Sequence, residues 1–454
     1  MIPLELQDIA RLLACPLPEG NPTVDSIVND SRKVRYGTLF AALKGNRVDG
    51  HDYASTAVAL GAVAVLASRE IEFKGHKSVP VLVVEDVTAA LGAIARDLRL
   101  RLDPLVVGIT GSNGKTTVKE MVASVLRRQS DILATCGNYN NELGLPLSLF
   151  GLERRHRYAV LEMGASQAGD IAYLAGIAQP DVAAVTNVGP AHLKGFGSEE
   201  GVARAKGEIF EALKGDGCAI IFGDQPWAEL WRGLNKAGRV ITFGQGAGND
   251  VRVKNETALE TPQGTIGLQL PVPGMHNRVN AAAAAAIGLA LGIAIDDIAE
   301  GLAAFGPAPG RLEMKSTPAG WTLIDDSYNA NPASLYSALK VLSEMQGKRW
   351  LVLGDMKELG EDSRKLHAEV GDAARSLGVE RVFAVGDFSD AAVDSFGRGA
   401  EHFSDRESLI EALLAEIRPG INCLVKGSRS MGMERVVEAL ERAGDDRAEI
   451  REAG

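Results

Sequence analysis

The residues best suited to chemistry lie in Leu105-Val-Val-Gly-Ile-Thr-Gly-Ser-Asn-Gly-Lys-Thr-Thr117. An apolar run there meets a glycine-containing loop. Val118, Met121, Val122, Val125 and Leu126 then follow on one face of a helix. Gly111 and Gly114 let the backbone curl with its N–H groups inward, and the helix dipole adds to the anion site so formed. Gly111, Ser112, Asn113, Gly114, Lys115, Thr116 and Thr117 are therefore a candidate cradle for ATP phosphates. Lys115 would reach the outer phosphates, and the Thr116 hydroxyl would ligate Mg²⁺. The strict GxxxxGK[ST] pattern fails, because Ile109 stands at its first glycine, so the loop is a variant.

Three further residues sit where they could serve that loop. Glu162 closes the apolar run Tyr158-Ala-Val-Leu-Glu162. An acid at the carboxyl end of a parallel strand lies on the edge where α/β sheets bind ligands, and there it could hold a hard cation. A solvated strand-end glutamate explains it equally well. His192 follows a similar strand and loop, although a lone histidine is more often no ligand. Lys206 falls on the apolar face of a helix with Val202, Ile209, Phe210 and Leu213. Helix geometry favours a snorkelling lysine. The alternative is a desolvated amine of lowered pKa that reacts with CO₂ and ligates a second Mg²⁺ as the carbamate.

The elements that must position these residues alternate between short β-rich runs and helical patterns, which implies parallel-sheet α/β architecture. A small N-terminal unit over 1–102 has strands at 38–43, 62–67 and 79–85, and the charged stretch 96–104 reads as its boundary. A central unit over 103–312 resembles phosphate-loop ATPases. Its strands are placed at 105–110, 158–163, 182–188, 218–222 and 239–243, ahead of an alanine-rich helix over 277–291. The Gly/Pro segment 306–310 reads as a hinge. A Rossmann-like unit over 313–454 has strands at 322–326, 350–354, 381–386 and 422–426, and its tail from 445 reads as frayed.

A net charge of −11 over 454 residues excludes a general nucleic-acid or membrane-surface binder. Cys15, Cys136, Cys218 and Cys423 form no CxxC pair, so a reducing compartment is expected. No apolar stretch reads as a signal peptide or membrane span, and the reading is of a cytoplasmic protein. No Ser/His/Asp or Cys/His nucleophile is evident.

The chain resembles the Mur ligases almost from end to end. The likeness is carried by Asp30-Ser-Arg-Lys-Val34, Asp49-Gly-His-Asp-Tyr53, the phosphate loop, and Gly137-Asn-Tyr-Asn-Asn-Glu-Leu-Gly-Leu-Pro146. Glu162-Met-Gly-Ala165, Thr186-Asn-Val-Gly-Pro-Ala-His192, Asp325-Asp-Ser-Tyr-Asn-Ala-Asn-Pro332, Leu353-Gly-Asp-Met-Lys-Glu-Leu-Gly360 and Lys426-Gly-Ser-Arg429 extend it. The resemblance implies three domains, for the UDP substrate, for ATP and for closure over the incoming amine. It implies that Thr116 and Glu162 hold one Mg²⁺, that His192 and carbamylated Lys206 hold a second, and that Lys115 acts on the phosphates. Asn277 and Asn280 would meet adenine, while Arg311 and Asp326 would contact nucleotide. Ser31, Arg32, Asp49, Gly50 and His51 would receive the UDP part. Asn140 and Asn141 would lie along the muramoyl-peptide path, and Tyr328, Asn329 and Asn331 would face the incoming dipeptide.

Within the family, the diaminopimelate-adding Asp-Asn-Pro-Arg motif is absent, and Asp325–Pro332 has the style of the dipeptide-adding branch. The expected reaction joins D-alanyl-D-alanine to a UDP-N-acetylmuramoyl-tripeptide, by a monomer using ATP and two Mg²⁺. Rival readings are another ligase of this type, including folylpolyglutamate synthase, a phosphate-loop kinase or ATPase, and a nucleotide-gated binding module. The Asp30-Ser-Arg block argues against the folate enzyme.

Overall fold

Buried apolar runs separated by amphipathic segments are best satisfied as parallel strands covered by helices, and this chain repeats that solution three times. A computed structural model describes residues 1–45, 48–74, 78–189 and 193–452, with backbone alone at 193–194 and 449–452.

The first sheet has four parallel strands in the order Ser26–Val28, Thr38–Ala41, Ala62–Ala67 and Val81–Val83. The helix Val87–Leu102 runs through most of the expected boundary at 96–104 and stays docked on the next unit. Arg99 is the physical reason. It is buried, with Nε donating to the Ala178 carbonyl and Nη2 to that of Gln179, both at 2.9 Å. Its guanidinium ties the helix to the next unit.

The central sheet has nine strands. In spatial order they are Ile132–Ala134, Tyr158–Glu162, Leu105–Thr110, Val182–Val185, Cys218–Phe222, Arg239–Gly244, Val251–Asn255, Ala258–Thr261 and Gly264–Gly267. All neighbours pair parallel except the last two pairs. Leu105–Thr110 lies inside the sheet, with later strands added on both sides, which opens a crevice at its carboxyl end. The helix Met275–Ala290 packs on the helix Lys115–Arg127, and Ala281–Ala286 are all fully buried.

Residues 306–310 are without regular structure and lead into the third sheet. Its six strands run Glu313–Ser316, Thr322–Asp326, Ile421–Lys426, Lys348–Gly354, Arg381–Val385 and Ala400–Phe403. Only the first pair is antiparallel. The described part of the tail, to 452, is helical where fraying was expected. The helix Glu434–Glu452 spans it, and Arg447 donates to the carbonyls of Ile417 and Leu414.

Candidate active site

The strand register sets the site. Ile109 pairs with Glu162 on one side, and Thr110 pairs with Val185 on the other. Three strand ends therefore meet at one edge, and the loop 111–114 rises between them. Gly111 has φ +148°, and a Cβ there would fall 1.9 Å from Thr186 Oγ1. Gly114 has φ +79°, and its Cβ would meet Asn280 Oδ1 at 2.6 Å. Both glycines are needed for close approach and for a conformation that side chains disfavour.

The loop is fastened along its length. Ser112 N–H donates to the Asn187 carbonyl at 2.9 Å, and Asn113 N–H to Asn187 Oδ1 at 3.0 Å. Thr186 Oγ1 and Asn187 Nδ2 donate to the Asn113 carbonyl at 2.6 and 2.9 Å. From the third sheet's unit, Asn331 Nδ2 reaches Asn113 Oδ1 at 2.7 Å, while Asn331 Oδ1 caps the helix Pro332–Glu344 by accepting from Ser334 N–H. Asn331 thus touches the phosphate loop itself.

Glu162 is buried, at 3% exposure. Thr116 Oγ1 donates to its Oε2 at 2.8 Å and Asn140 Nδ2 to its Oε1 at 2.7 Å. Thr135 Oγ1 accepts from Glu162 N–H, and buried Lys119 donates to the Thr135 carbonyl at 2.7 Å. Lys115 Nζ donates to the Gly111 carbonyl at 2.8 Å. Burial pulls its ammonium below the ordinary lysine range; Glu162 opposes that shift and Arg311 adds to it.

Lys206 lies on the helix Glu199–Glu211, capped by Ser198 Oγ and braced by Trp231 Nε1 donating to the Ala203 carbonyl at 2.9 Å. It is 3% exposed, and burial, reinforced by the positive Lys115, lowers its pKa to about 7. The structure therefore favours the desolvated amine over the snorkelling lysine. His192 lies outside the described residues.

Asn277 and Asn280 are buried and joined by a 3.4 Å hydrogen bond, with Asn280 facing Gly114. Arg311 stacks 4.2 Å from the Tyr328 ring centroid, and Arg429 lies 5.6 Å from the same ring. Asp326 pairs with Lys426, which also donates to the Asn329 carbonyl at 3.0 Å. Lys426 was read as part of the Lys426-Gly-Ser-Arg429 motif but given no role, although its place at the end of an apolar strand is the same signal that marked Glu162. Thr186, Asn187 and Thr135 were missed as site residues because only tertiary packing brings them there.

Other expected residues are less central. His51 is buried with both ring nitrogens engaged, Nδ1 with Asp49 at 2.5 Å and Nε2 accepting from Ser68 N–H at 3.2 Å. Gly50 presses its backbone against Leu43, leaving 2.7 Å for a Cβ. Arg32 is exposed and paired with Asp30, beside Ser31. Asn141 Oδ1 accepts from Gly144 N–H at 2.8 Å. Thr117 sits in the first turn of the phosphate-loop helix.

The residues fit a nucleotide and a hard cation. Two glycines leave backbone room for phosphates, and the Thr116 hydroxyl beside the Glu162 carboxylate is an all-oxygen pair. Among the described residues no cluster of three or more His, Cys, Asp or Glu could cage a metal. An ion shared between the protein and nucleotide phosphates suits this arrangement, as is usual for Mg²⁺.

Comparison with known proteins agrees with this geometry. Three family descriptions match in succession: Mur ligase family, catalytic domain, over 23–99; Mur ligase middle domain, over 109–288; and Mur ligase, glutamate ligase domain, over 310–429. A UDP-N-acetylmuramoyl-tripeptide--D-alanyl-D-alanine ligase of Escherichia coli (strain K12) is 42% identical, covering 98% of this chain and 100% of the relative. A crystal structure of MurF from Acinetobacter baumannii superposes with TM-score 0.89 at 35% identity, covering 97% of this chain and 99% of that one. MurF ligase from Thermotoga maritima, solved with ADP, gives TM-score 0.83 at 32% identity, covering 93% and 98%. With a sheet edge built for phosphates and full-length relatives on both measures, the chain belongs to the Mur ligase family.

Proposed function

We propose that the chain joins D-alanyl-D-alanine to UDP-N-acetylmuramoyl-tripeptide, splitting ATP to ADP and phosphate through an acyl-phosphate intermediate. The observation that carries this is the convergence of Lys115, the Thr116–Glu162 pair and desolvated Lys206 on one sheet edge. Full-length relatives carrying that activity in their names support the choice of substrates.

A carboxylate is a poor acyl donor because its oxide leaves badly, and phosphorylation by the ATP γ-phosphate solves this. The 111–114 backbone and Lys115 would hold the phosphates and offset the charge that builds as the tripeptide carboxylate attacks. Mg²⁺, when bound, supplies charge neutralisation between nucleotide and carboxylate; Thr116 and Glu162 would hold one ion, and His192 with carbamylated Lys206 a second. Lys206 would form the carbamate through the neutral fraction of its amine near pH 7: the nitrogen lone pair would add to CO₂ and a proton would leave to solvent. Asn277 and Asn280 would meet the adenine, while Arg311 and Asp326 would bind nucleotide from the closing unit. Asn331 helps hold that unit against the phosphate loop, which would exclude water from the acyl phosphate. The dipeptide amine would then attack the acyl carbon near Tyr328, forming the amide and expelling phosphate.

The protein is proposed to act in the cytoplasm as a monomer. No described helix is long and apolar enough to cross a membrane. The test is phosphate release with ATP, UDP-muramoyl tripeptide and D-alanyl-D-alanine, each omitted in turn, and mass analysis for the UDP-pentapeptide. Release that needs all three, lowered about 10²–10³-fold or more in Lys115→Ala, is expected. Release from ATP alone would make the protein an ATPase.

A further inference from the structure

Glu162 is held on both oxygens by neutral donors, and one of them comes from a loop that the phosphate site does not require. We propose that Asn140 is a positioning residue for Glu162, orienting the carboxylate toward the cation. The inference rests on Glu162 being a metal ligand.

An ionised carboxylate is acceptor-only, so the NH₂ end of Asn140 must face it, and the 2.7 Å contact is a full hydrogen bond. An amide donor fixes the rotation of the carboxylate without cancelling its charge, leaving that charge for a dication. A lysine or arginine at this place would compete with the metal. Outer partners of this kind set how well a ligand presents itself.

Asn140 is itself fixed. Its N–H donates to the Asn138 carbonyl at 2.8 Å, and its carbonyl accepts from Gly164 N–H at 2.7 Å, two residues beyond Glu162. A Cβ at Gly164 would sit 3.1 Å from Asn140 Oδ1, so a larger residue there would crowd the amide. The loop is therefore clamped onto the same stretch of chain whose carboxylate it orients.

Its other side faces the N-terminal unit. Lys33 Nζ donates to the Tyr139 hydroxyl at 3.4 Å and lies 6.0 Å from the ring centroid. One residue thus meets the first unit while its neighbour holds Glu162. Asn140 acts toward the metal.

The experiment compares Asn140→Ala, Asn140→Ser and Glu162→Gln with the unaltered full chain. It measures Mn²⁺ retention with ADP by electron paramagnetic resonance, the Mg²⁺ concentration for half-maximal turnover, the KM for the UDP-tripeptide, and the thermal midpoint. Mn²⁺ affinity falling about tenfold in both Asn140 variants, with a matching rise in Mg²⁺ demand and an unchanged UDP-tripeptide KM, is the expected result. A raised UDP-tripeptide KM with unchanged Mn²⁺ affinity would overturn the proposal and make Asn140 a substrate contact. Unchanged values throughout would overturn it too. If Asn140→Ala does not fold, the serine variant, whose hydroxyl is too short to span the gap, decides. Glu162→Gln separates the two claims: unchanged Mn²⁺ affinity there removes the metal-ligand reading, whereas a loss seen only there leaves that reading and removes the role of Asn140.

Discussion

Glu162 and Asp355 are both buried acids at the carboxyl end of a parallel strand, and their surroundings differ in kind. Asp355 accepts from the N–H groups of Asp387, Phe388 and Ser389 and from Lys357 Nζ, at 2.8–3.1 Å. Burial raises its pKa, but Lys357 and the Phe388 and Asp387 N–H groups outweigh that and hold the carboxyl below its usual range. Nearby, His367 accepts from Met356 N–H and bonds Ser363 O, and burial keeps it below the ordinary histidine value. Every strong partner of that cluster comes from its own unit. Glu162, whose partners also come from its own unit, has a hydroxyl and an amide, with Lys115 as its cationic neighbour. Saturated charge is a clasp for loops; undersatisfied charge at a sheet edge is available for a ligand.

Lys206→Met breaks the available side most severely. Turnover is expected to fall by about 10²–10³-fold or more, and in Lys206→Ala, which leaves room for them, short carboxylic acids should restore part of it. Stability should move the opposite way. The folded pKa of about 7 lies below the ordinary lysine value of 10.5, so between them the folded protein has shed a proton that the unfolded chain keeps. Stability of the unaltered protein therefore rises with pH across that window, and the cost of burying the ammonium is complete below it. Urea melts in CO₂-free buffer should show Lys206→Met more stable by on the order of 2–4 kcal/mol near pH 6, with the advantage shrinking toward about pH 10.

Asp355→Asn tests the saturated side. It leaves buried N–H donors facing an amide, so unfolding free energy should drop by about 3 kcal/mol while turnover per folded molecule stays close to that of the unaltered protein. A turnover loss without a stability loss would erase the contrast.

The smallest effect is expected at the contact between units. Asn331→Asp keeps the helix cap but sets acceptor against acceptor at Asn113. The KM for ATP should rise several-fold, equivalent to about 1 kcal/mol, with an unchanged thermal midpoint. An unaltered KM would show that the Asn113 contact contributes nothing to nucleotide binding.

Much of this was legible beforehand where burial alone decides structure. Leu105–Thr110, Ala62–Ala67, Cys218–Phe222 and Thr322–Asp326 form over the residues expected, because unbroken apolar runs have few alternatives. The antiparallel strands Val251–Asn255, Ala258–Thr261 and Gly264–Gly267 were not read, since Arg252, Lys254 and Glu260 break their apolar pattern at the sheet margin. Ile132–Ala134 and Glu313–Ser316 were too short to stand out. Strand ends flagged Glu162, and a periodic helix face flagged Lys206. Nothing local couples Asn140 to Glu162, Asn331 to Asn113, or Lys426 to Asp326, because those pairs exist only once distant segments dock.

The run Ala281–Ala286 carries a consequence for how this molecule can vary. A helix whose whole circumference is occupied has no face on which to place a larger residue, and six successive fully buried positions cover more than one turn. Drift at any of them would lever Asn280 away from Gly114. The plainest stretch of the chain is thus a spacer of fixed gauge, and its monotony keeps the Asn277 and Asn280 amides at their station.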